Sequence, residues 1–220
     1  MELQEVNMDK KVLRNLSYGL YVITSKEENK NVGCIANSVI QVTSNPVTIL
    51  VSINHDNYTN KIIKETNKFG VSILKETSNQ KIIGTFGFKS SKDINKFEEI
   101  EYKEVSNIPI INDSCGYMIC NVVKIVETST HTIFIAEVEN AGDYTEENPM
   151  TYKYYHENLK GISPKNAPTY QEKEELVYDN KTNKWKCTIC GYEYEADELP
   201  DDFKCPICGV GKEYFKKITK

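Results

Sequence analysis

Four of the seven cysteines fall within 22 residues, as the pairs Cys187-Thr188-Ile189-Cys190 and Cys205-Pro206-Ile207-Cys208. Two such C-x-x-C knuckles, with 14 residues between them, supply four soft thiolates at a spacing suited to a tetrahedral sulfur site. That chemistry means zinc or a single iron. The module around them, from about Glu175 to Lys220, has some 46 residues. So short a chain seldom holds together on apolar burial alone, and a metal staple is expected to hold it. The remaining cysteines, Cys34, Cys115 and Cys120, are scattered. An odd total argues against a disulfide framework, as does an N-terminus, Met1-Glu2-Leu3-Gln4-Glu5, with acids where a secretion signal has basic residues. Cys115 and Cys120 flank an apolar strand start and read as core residues.

Residues 161–174 contain Pro164 and Pro168, few apolar residues and no period of 2 or 3.6, so they read as a linker between residues 1–160 and 175–220. The first 160 residues are expected to be mainly β. Runs rich in β-branched and aromatic residues recur at Leu20–Thr24, Val32–Gln41, Val47–Asn54, Phe69–Leu74, Gly116–Glu127 and Thr132–Glu139. Six such strands suit a closed or nearly closed antiparallel barrel. Two short helices are expected between them. One begins near Thr59 and carries Ile62, Ile63 and Phe69 inward, and another covers about Ser78–Gly84.

With 39% hydrophobic residues and 14 Tyr, the chain has material for a packed core and is not disordered throughout. The net charge is −5, and the basic residues, all lysine except Arg14, are spread along the chain. A polyanion-binding protein would cluster them, so nucleic acid is not expected as a partner. No apolar stretch approaches the ~18 residues of a membrane span, and a soluble, cytoplasmic protein is expected. Neither a G-x-G-x-x-G nor a P-loop is present, which removes the Rossmann and Walker nucleotide sites.

The tail becomes more specific when read in order. Trp185, Cys187-Thr188-Ile189-Cys190-Gly191-Tyr192, Leu199-Pro200-Asp201-Asp202-Phe203, Cys205-Pro206-Ile207-Cys208-Gly209 and a final Phe215 resemble a rubredoxin, a one-iron electron-transfer domain. Tyr178 and Tyr194 add to the aromatic set. Gly191 and Gly209 let backbone N–H groups approach the sulfurs, and such bonds tune a reduction potential. The stretch between the pairs is shorter than in free-standing rubredoxins and closer to the rubredoxin-like domain of rubrerythrins. A rubrerythrin would also need Glu-x-x-His motifs on a helix bundle. His55, His131 and His156 each lack a Glu three residues earlier, so that protein is excluded. Six acids and no basic residue lie within residues 187–203, readable as a solvated loop or as an acidic surface steering a partner.

Upstream, Gly33-Cys34-Ile35-Ala36-Asn37-Ser38 followed by the apolar strand Val47–Ile53 resembles the flavin reductase-like, FMN-binding split-barrel family. Lys89–Phe97, Thr130-His131-Thr132 and Pro149–Tyr155 match as well, and the resemblance spans about residues 10–160. It implies that Cys34, Ile35, Ala36, Asn37 and Ser38 lie along the isoalloxazine edge, with Asn37 and Ser38 bonding its polar rim. The turn after Ile53, with Asn54, Asn57 and Thr59, would hold the phosphate. Asn57 and Thr59 stand at a predicted helix start, where orphan N–H groups and the dipole favour an anion. Thr59 is also suited to plain N-capping. Lys89 and Lys96 would approach the cofactor's tail or the nicotinamide dinucleotide, whereas Lys92 reads as solvated. His131 matches the family's histidine beside the nicotinamide; read alone, a histidine at a strand start has a structural reading too.

The order of modules resembles the high-molecular-weight rubredoxins of anaerobic bacteria. It implies NAD(P)H as donor, FMN and a rubredoxin iron as relay, and a redox protein such as a flavodiiron protein, reducing oxygen or nitric oxide, as acceptor. It also implies a homodimer. Two alternatives stand beside this reading: a carrier reduced by another protein, and a zinc-ribbon binding module on a barrel without redox function.

Overall fold

A computed structural model of the chain describes residues 10–159, 161, 163, 167, 169 and 183–218. The first half builds nine strands: β1 (Tyr21–Glu27), β2 (Lys30–Ala36), β3 (Val39–Ser44), β4 (Val47–Asn54), β5 (Lys68–Ile73), β6 (Tyr102–Val105), β7 (Ile108–Ile111), β8 (Gly116–Glu127) and β9 (His131–Gly142). Seven form one antiparallel sheet in the order β2-β1-β5-β8-β9-β4-β3. Its two outermost strands, β2 and β3, are consecutive in the chain and joined only by Asn37-Ser38. Opposite edges of a seven-stranded sheet can share a two-residue link only if the sheet curls round on itself. The result is a barrel left unpaired along the seam between β2 and β3, in keeping with the mainly β, split-barrel expectation.

Period-2 alternation places Ile23, Cys34, Val51, Phe69, Val71, Cys120, Phe134 and Ala136 inside the barrel, all essentially inaccessible to water. The helix α1 (Tyr58–Thr66) seals one end with Ile63. It stops at Asn67, whose left-handed φ of 52° lets its N–H bond the Ile63 carbonyl at 2.8 Å. Phe69 is therefore buried from β5 and not from the helix, a correction to the expectation.

A second cluster forms outside the barrel wall. There α2 (Gln80–Phe88) lays Ile82, Ile83 and Phe86 against Leu20, Val22, Leu74 and Ile111, with Met150 and Tyr155 beside them. Tyr155 comes from α3 (Tyr152–Glu157), which the sequence reading did not anticipate. The run Val32–Gln41 breaks into β2 and β3 at Asn37-Ser38. The hairpin β6–β7 was also unanticipated. It turns at Ser106 and Asn107, with φ of 48° and 64°, the positive pair that two-residue hairpins use.

The second half pairs β10 (Lys184–Cys187) with β11 (Glu193–Glu195) on one side and β12 (Phe215–Lys217) on the other. Tyr178 and most of the expected linker lie outside the described residues. Of that linker, Ser163 and Thr169 both hydrogen-bond the Tyr152 hydroxyl.

One buried charge holds α2 to β2. Lys96 is 3% exposed, and its ammonium donates to the carbonyls of Gly33 at 2.8 Å and Phe86 at 3.2 Å. Burial pulls it down to about 8; the Cys34 thiol partly opposes this, and Lys89 adds to it. Below pH 8 the group is protonated both folded and unfolded, and its burial cost is fully present. Between about 8 and 10.5 the native state sheds the proton first, so stability from this group climbs with pH. The Cys34 and Cys120 thiols, pushed up to about 11 and about 12, act the opposite way but are common to a Lys96→Met variant. Urea unfolding should therefore show wild type gaining on Lys96→Met as pH rises through this window. A flat or falling difference would contradict the assignment.

Candidate functional site

The cysteine knuckles are built alike. Gly191 and Gly209 adopt φ of 80° and 76°, and their N–H groups return to the carbonyls of Cys187 and Cys205 at 3.0 and 2.8 Å. That turn directs the amides of Cys190 and Tyr192 at one pair of sulfurs, and those of Cys208 and Val210 at the other. N–H groups aimed at sulfur favour the thiolate that a metal requires. The four Sγ atoms of Cys187, Cys190, Cys205 and Cys208 all lie within 4.8 Å of one another and are buried. Cys187 and Cys208 are 3.7 Å apart and Cys190 and Cys205 3.4 Å. A tetrahedron with metal–sulfur bonds of ~2.3 Å separates its sulfurs by roughly 3.8 Å, so the cage has the right size for one ion. Beneath it Phe203 packs on Tyr194 and edge-on to Phe215, at 4.8 and 5.2 Å. The Trp185 indole donates to the Ala196 carbonyl at 2.8 Å.

The second cluster of candidates gathers along the barrel seam. Ser38 donates to the Ser52 carbonyl at 3.1 Å, which hooks the β2–β3 link to β4. Two residues on, Asn54 ends β4 directly opposite His131, the first residue of β9. Asn57 caps α1, accepting from the Thr59 amide at 3.0 Å. Thr59 is fully buried, and among the described residues its hydroxyl has no oxygen or nitrogen partner, only the Cys34 thiol beside it. A polar atom buried without a partner costs stability unless something else satisfies it. Lying in the first turn of a helix, this orphan fits an anionic group placed there.

The other candidates divide by face. Cys34, Ala36 and Ile53 turn into the barrel core, while Ile35, between the first two, turns outward onto the α2 cluster. Burial pushes the Cys34 thiol up to about 11, against weaker opposing pulls from Lys96, Thr59 and Asn57, so it stays protonated. Asn37 is half-buried and donates to Thr169 at 3.3 Å. Lys96 is committed to two carbonyls, whereas Lys89 is exposed at the end of α2. His131 is held below the ordinary histidine range by burial and by His55, and its Nδ1 lies 2.8 Å from the Thr130 hydroxyl. Both effects favour the neutral imidazole. Thr169 and Tyr152, which tie chain beyond the barrel to Asn37, were not among the expected site residues. Tyr152 lies in the Pro149–Tyr155 stretch that matches the family, and Thr169 in the expected linker, where nothing in the local sequence marks it.

Comparison with known proteins divides the chain the same way. Residues 13–163 match the flavin reductase-like domain family, and residues 185–216 match the rubredoxin-like domain of rubrerythrin. A high molecular weight rubredoxin of Moorella thermoacetica is 38% identical over 96% of this chain and 100% of its own length. A ferric-chelate reductase (NAD(P)H) of Archaeoglobus fulgidus is 38% identical over 75% of this chain and 99% of its own. Among solved structures, the flavin reductase PheA2 superposes with a TM-score of 0.55 at 30% identity, covering 66% of this chain and 93% of that one.

Trp185 is the chain's single tryptophan, so its fluorescence reports the cysteine module alone. Stripping metal with acid and chelator should shift its emission to longer wavelength while the barrel keeps its far-ultraviolet circular dichroism. Unchanged emission after verified metal loss would mean that the module folds without its staple.

Proposed function

The chain belongs to the flavin reductase-like family and shares its two-module order with a high molecular weight rubredoxin, and from that premise we propose that it oxidises NAD(P)H and passes the electrons through FMN and a cysteine-held iron to a redox protein. The observation that carries this reading is a four-sulfur cage of single-ion size on the same chain as a barrel of this family. When bound, a flavin takes a hydride as two electrons and releases them singly, which suits an iron that accepts one.

The residues divide the work. Cys187, Cys190, Cys205 and Cys208 hold the iron. Asn54, Asn57 and Thr59 hold the FMN phosphate, the Thr59 hydroxyl gaining there an oxygen acceptor in place of the Cys34 thiol. Asn37 and Ser38 stand at the unpaired seam, where strand-edge groups are free to meet the polar rim of the ring. Cys34, Ala36 and Ile53 contribute backbone and the wall behind it, and Ile35 and Lys89 flank it through α2. His131, neutral and opposite Asn54, lines the nicotinamide's place as a hydrogen-bonding group and carries no charge there. Lys96 serves by fixing β2. The NAD(P)H-dependent relative supports the donor.

The division into 1–160, 161–174 and 175–220 is part of this reading, as are a flavodiiron-type acceptor and a cytoplasmic setting. Among the described residues no helix is long and apolar enough to cross a membrane. Exposed Ile40, Val42 and Val47 on β3 and β4, with Val123, Ile125 and Val126 on β8, support a homodimer.

Anaerobic NADH added to the native protein should bleach flavin absorbance and then the red of ferric sulfur-bound iron. Cys208→Ser should keep the first change and lose the second. Flavin that stays oxidised would make the chain a carrier reduced by another protein, and a colourless cage would make it a zinc ribbon. Thr59→Val should weaken FMN binding roughly 10- to 100-fold, the worth of one bond to a charged group, while leaving the flavin-free protein at least as stable. Equal affinity in titrations of both proteins would remove Thr59 from the phosphate site.

A further inference from the structure

The cysteine module is not simply tethered to the barrel. Its second knuckle rests on α2. A β-carbon at Gly84 would lie 1.6 Å from the carbonyl oxygen of Ile207, the residue just before the ligand Cys208. Only a glycine lets the two backbones approach so closely. Phe88, at the end of the same helix, packs into the aromatic and cysteine cluster of the module. Lys89 follows, its ammonium 3.6 Å from where a β-carbon of Gly209 would stand. A narrow crevice runs along the contact, with Ile83, Tyr155 and Leu159 on one wall and Cys190, Tyr192 and Ile207 on the other.

The same helix is packed closely on β2 as well. A β-carbon at Gly33 would fall 2.8 Å from the Phe86 ring, and Gly87 faces Ile35 at 3.5 Å. A single turn of α2 thus touches both Ile35 on the seam strand and Ile207 in the metal knuckle. An interior glycine weakens a helix relative to alanine, and α2 carries two. At Gly87 alanine would make only an ordinary contact, whereas at Gly84 it is sterically barred.

We propose that α2 is the seat on which the cysteine module docks within its own chain, Gly84 receiving the Ile207 carbonyl, and that the module takes electrons while seated there. The second half rests on the relay proposed above; the first does not. While seated, the face of the module that carries Cys190 and Ile207 is turned to α2, so delivery to an outside protein through that face requires the module to leave α2. A contact of this narrow kind between domains permits that exchange.

Hydrogen exchange on the oxidised full-length protein, without NADH, tests the seat alone. Gly84→Ala should release residues 80–88 and 205–211 from protection together, with β8 and β9 unchanged, and Gly87→Ala should release neither. NADH should then bleach flavin in Gly84→Ala at the wild-type rate and the iron at least ten times more slowly. A folded Gly84→Ala protein with wild-type exchange at 205–211 would overturn the seat. Released exchange with an unchanged iron rate would overturn electron entry there. If β8 and β9 also lose protection in Gly84→Ala, the same readouts on Phe88→Ser decide. Should wild-type iron never respond to NADH, the relay falls while the exchange result still judges the docking. A mixed dimer of one intact chain with a Gly84→Ala, Cys208→Ser chain identifies which helix serves: its single intact iron site keeps its rate for docking within the chain and loses it for docking across.

Discussion

Asn37 and Ser38 join the first and last strands of a seven-stranded sheet, and that two-residue link determines the shape of everything around it. It curls the sheet into a barrel, yet β2 and β3 run to opposite edges and do not pair with each other. The seam leaves strand-edge groups unpaired, usually a hazard for a sheet and, in the function proposed above, the place that meets the flavin ring. Ser38 pins the link to β4 through the Ser52 carbonyl. That anchor sets where β4 ends, and the end of β4 positions the Asn57 cap of α1 on one side and His131 on the other. Residues far apart in the chain therefore meet at one end of the seam because one connection is short.

The same strand governs the outer wall. Alternation along β2 turns Cys34 and Ala36 inward and Ile35 outward, so β2 serves the core and α2 at once. Three features bring α2 close: the missing side chain at Gly33, the Ser91 hydroxyl bonded to the Gly33 backbone, and the Lys96 ammonium bridging Gly33 and Phe86. Burying an ammonium is costly, as its lowered pKa records. The two carbonyls it satisfies offset part of that cost and fix the helix at a set height above the strand. The seat for the cysteine module depends on that height.

What the sequence makes legible follows from how local each cause is. Cys187, Cys190, Cys205 and Cys208 can be read as one site because covalent spacing alone brings them together. The bounds of β4 and β8 coincide with the expected runs Val47–Asn54 and Gly116–Glu127, since each is long, apolar and closed by turn residues. Four-residue strands such as β6 and β7 lack that length. Phe69 fits a helix by period, and only the left-handed Asn67 shows that the helix has already ended. The resemblance lays Cys34–Ser38 along one ligand edge, and because a strand turns successive side chains to opposite faces, part of that edge is backbone. Gly84 is the least legible: its reason lies in Ile207, in another module, and a helical glycine by itself suggests only a weak helix.

The acidic stretch of the module shows how its surfaces divide. Glu193 and Glu195 pair with Lys186 and Lys184 across the β10–β11 strands, and Asp201 with Lys212, so half of its six acids are engaged within the module. Exposed pairs of this kind contribute about 0–1 kcal/mol and weaken with salt. The contact with α2 is of a different kind, a backbone-to-backbone approach with an aromatic ring beside it and one lysine at its margin. Close packing acts only at contact, whereas the exposed Asp197, Glu198 and Asp202 act over a screening length of roughly 8 Å. Within its own chain the module is already held near its seat by covalent connection and needs no steering, only fit. A partner arriving from solution has no such connection, and long-range charge is what the module can offer it. Packing toward the barrel and charge toward solvent is the arrangement that the proposed relay requires, with electrons received inside the molecule and delivered outside it.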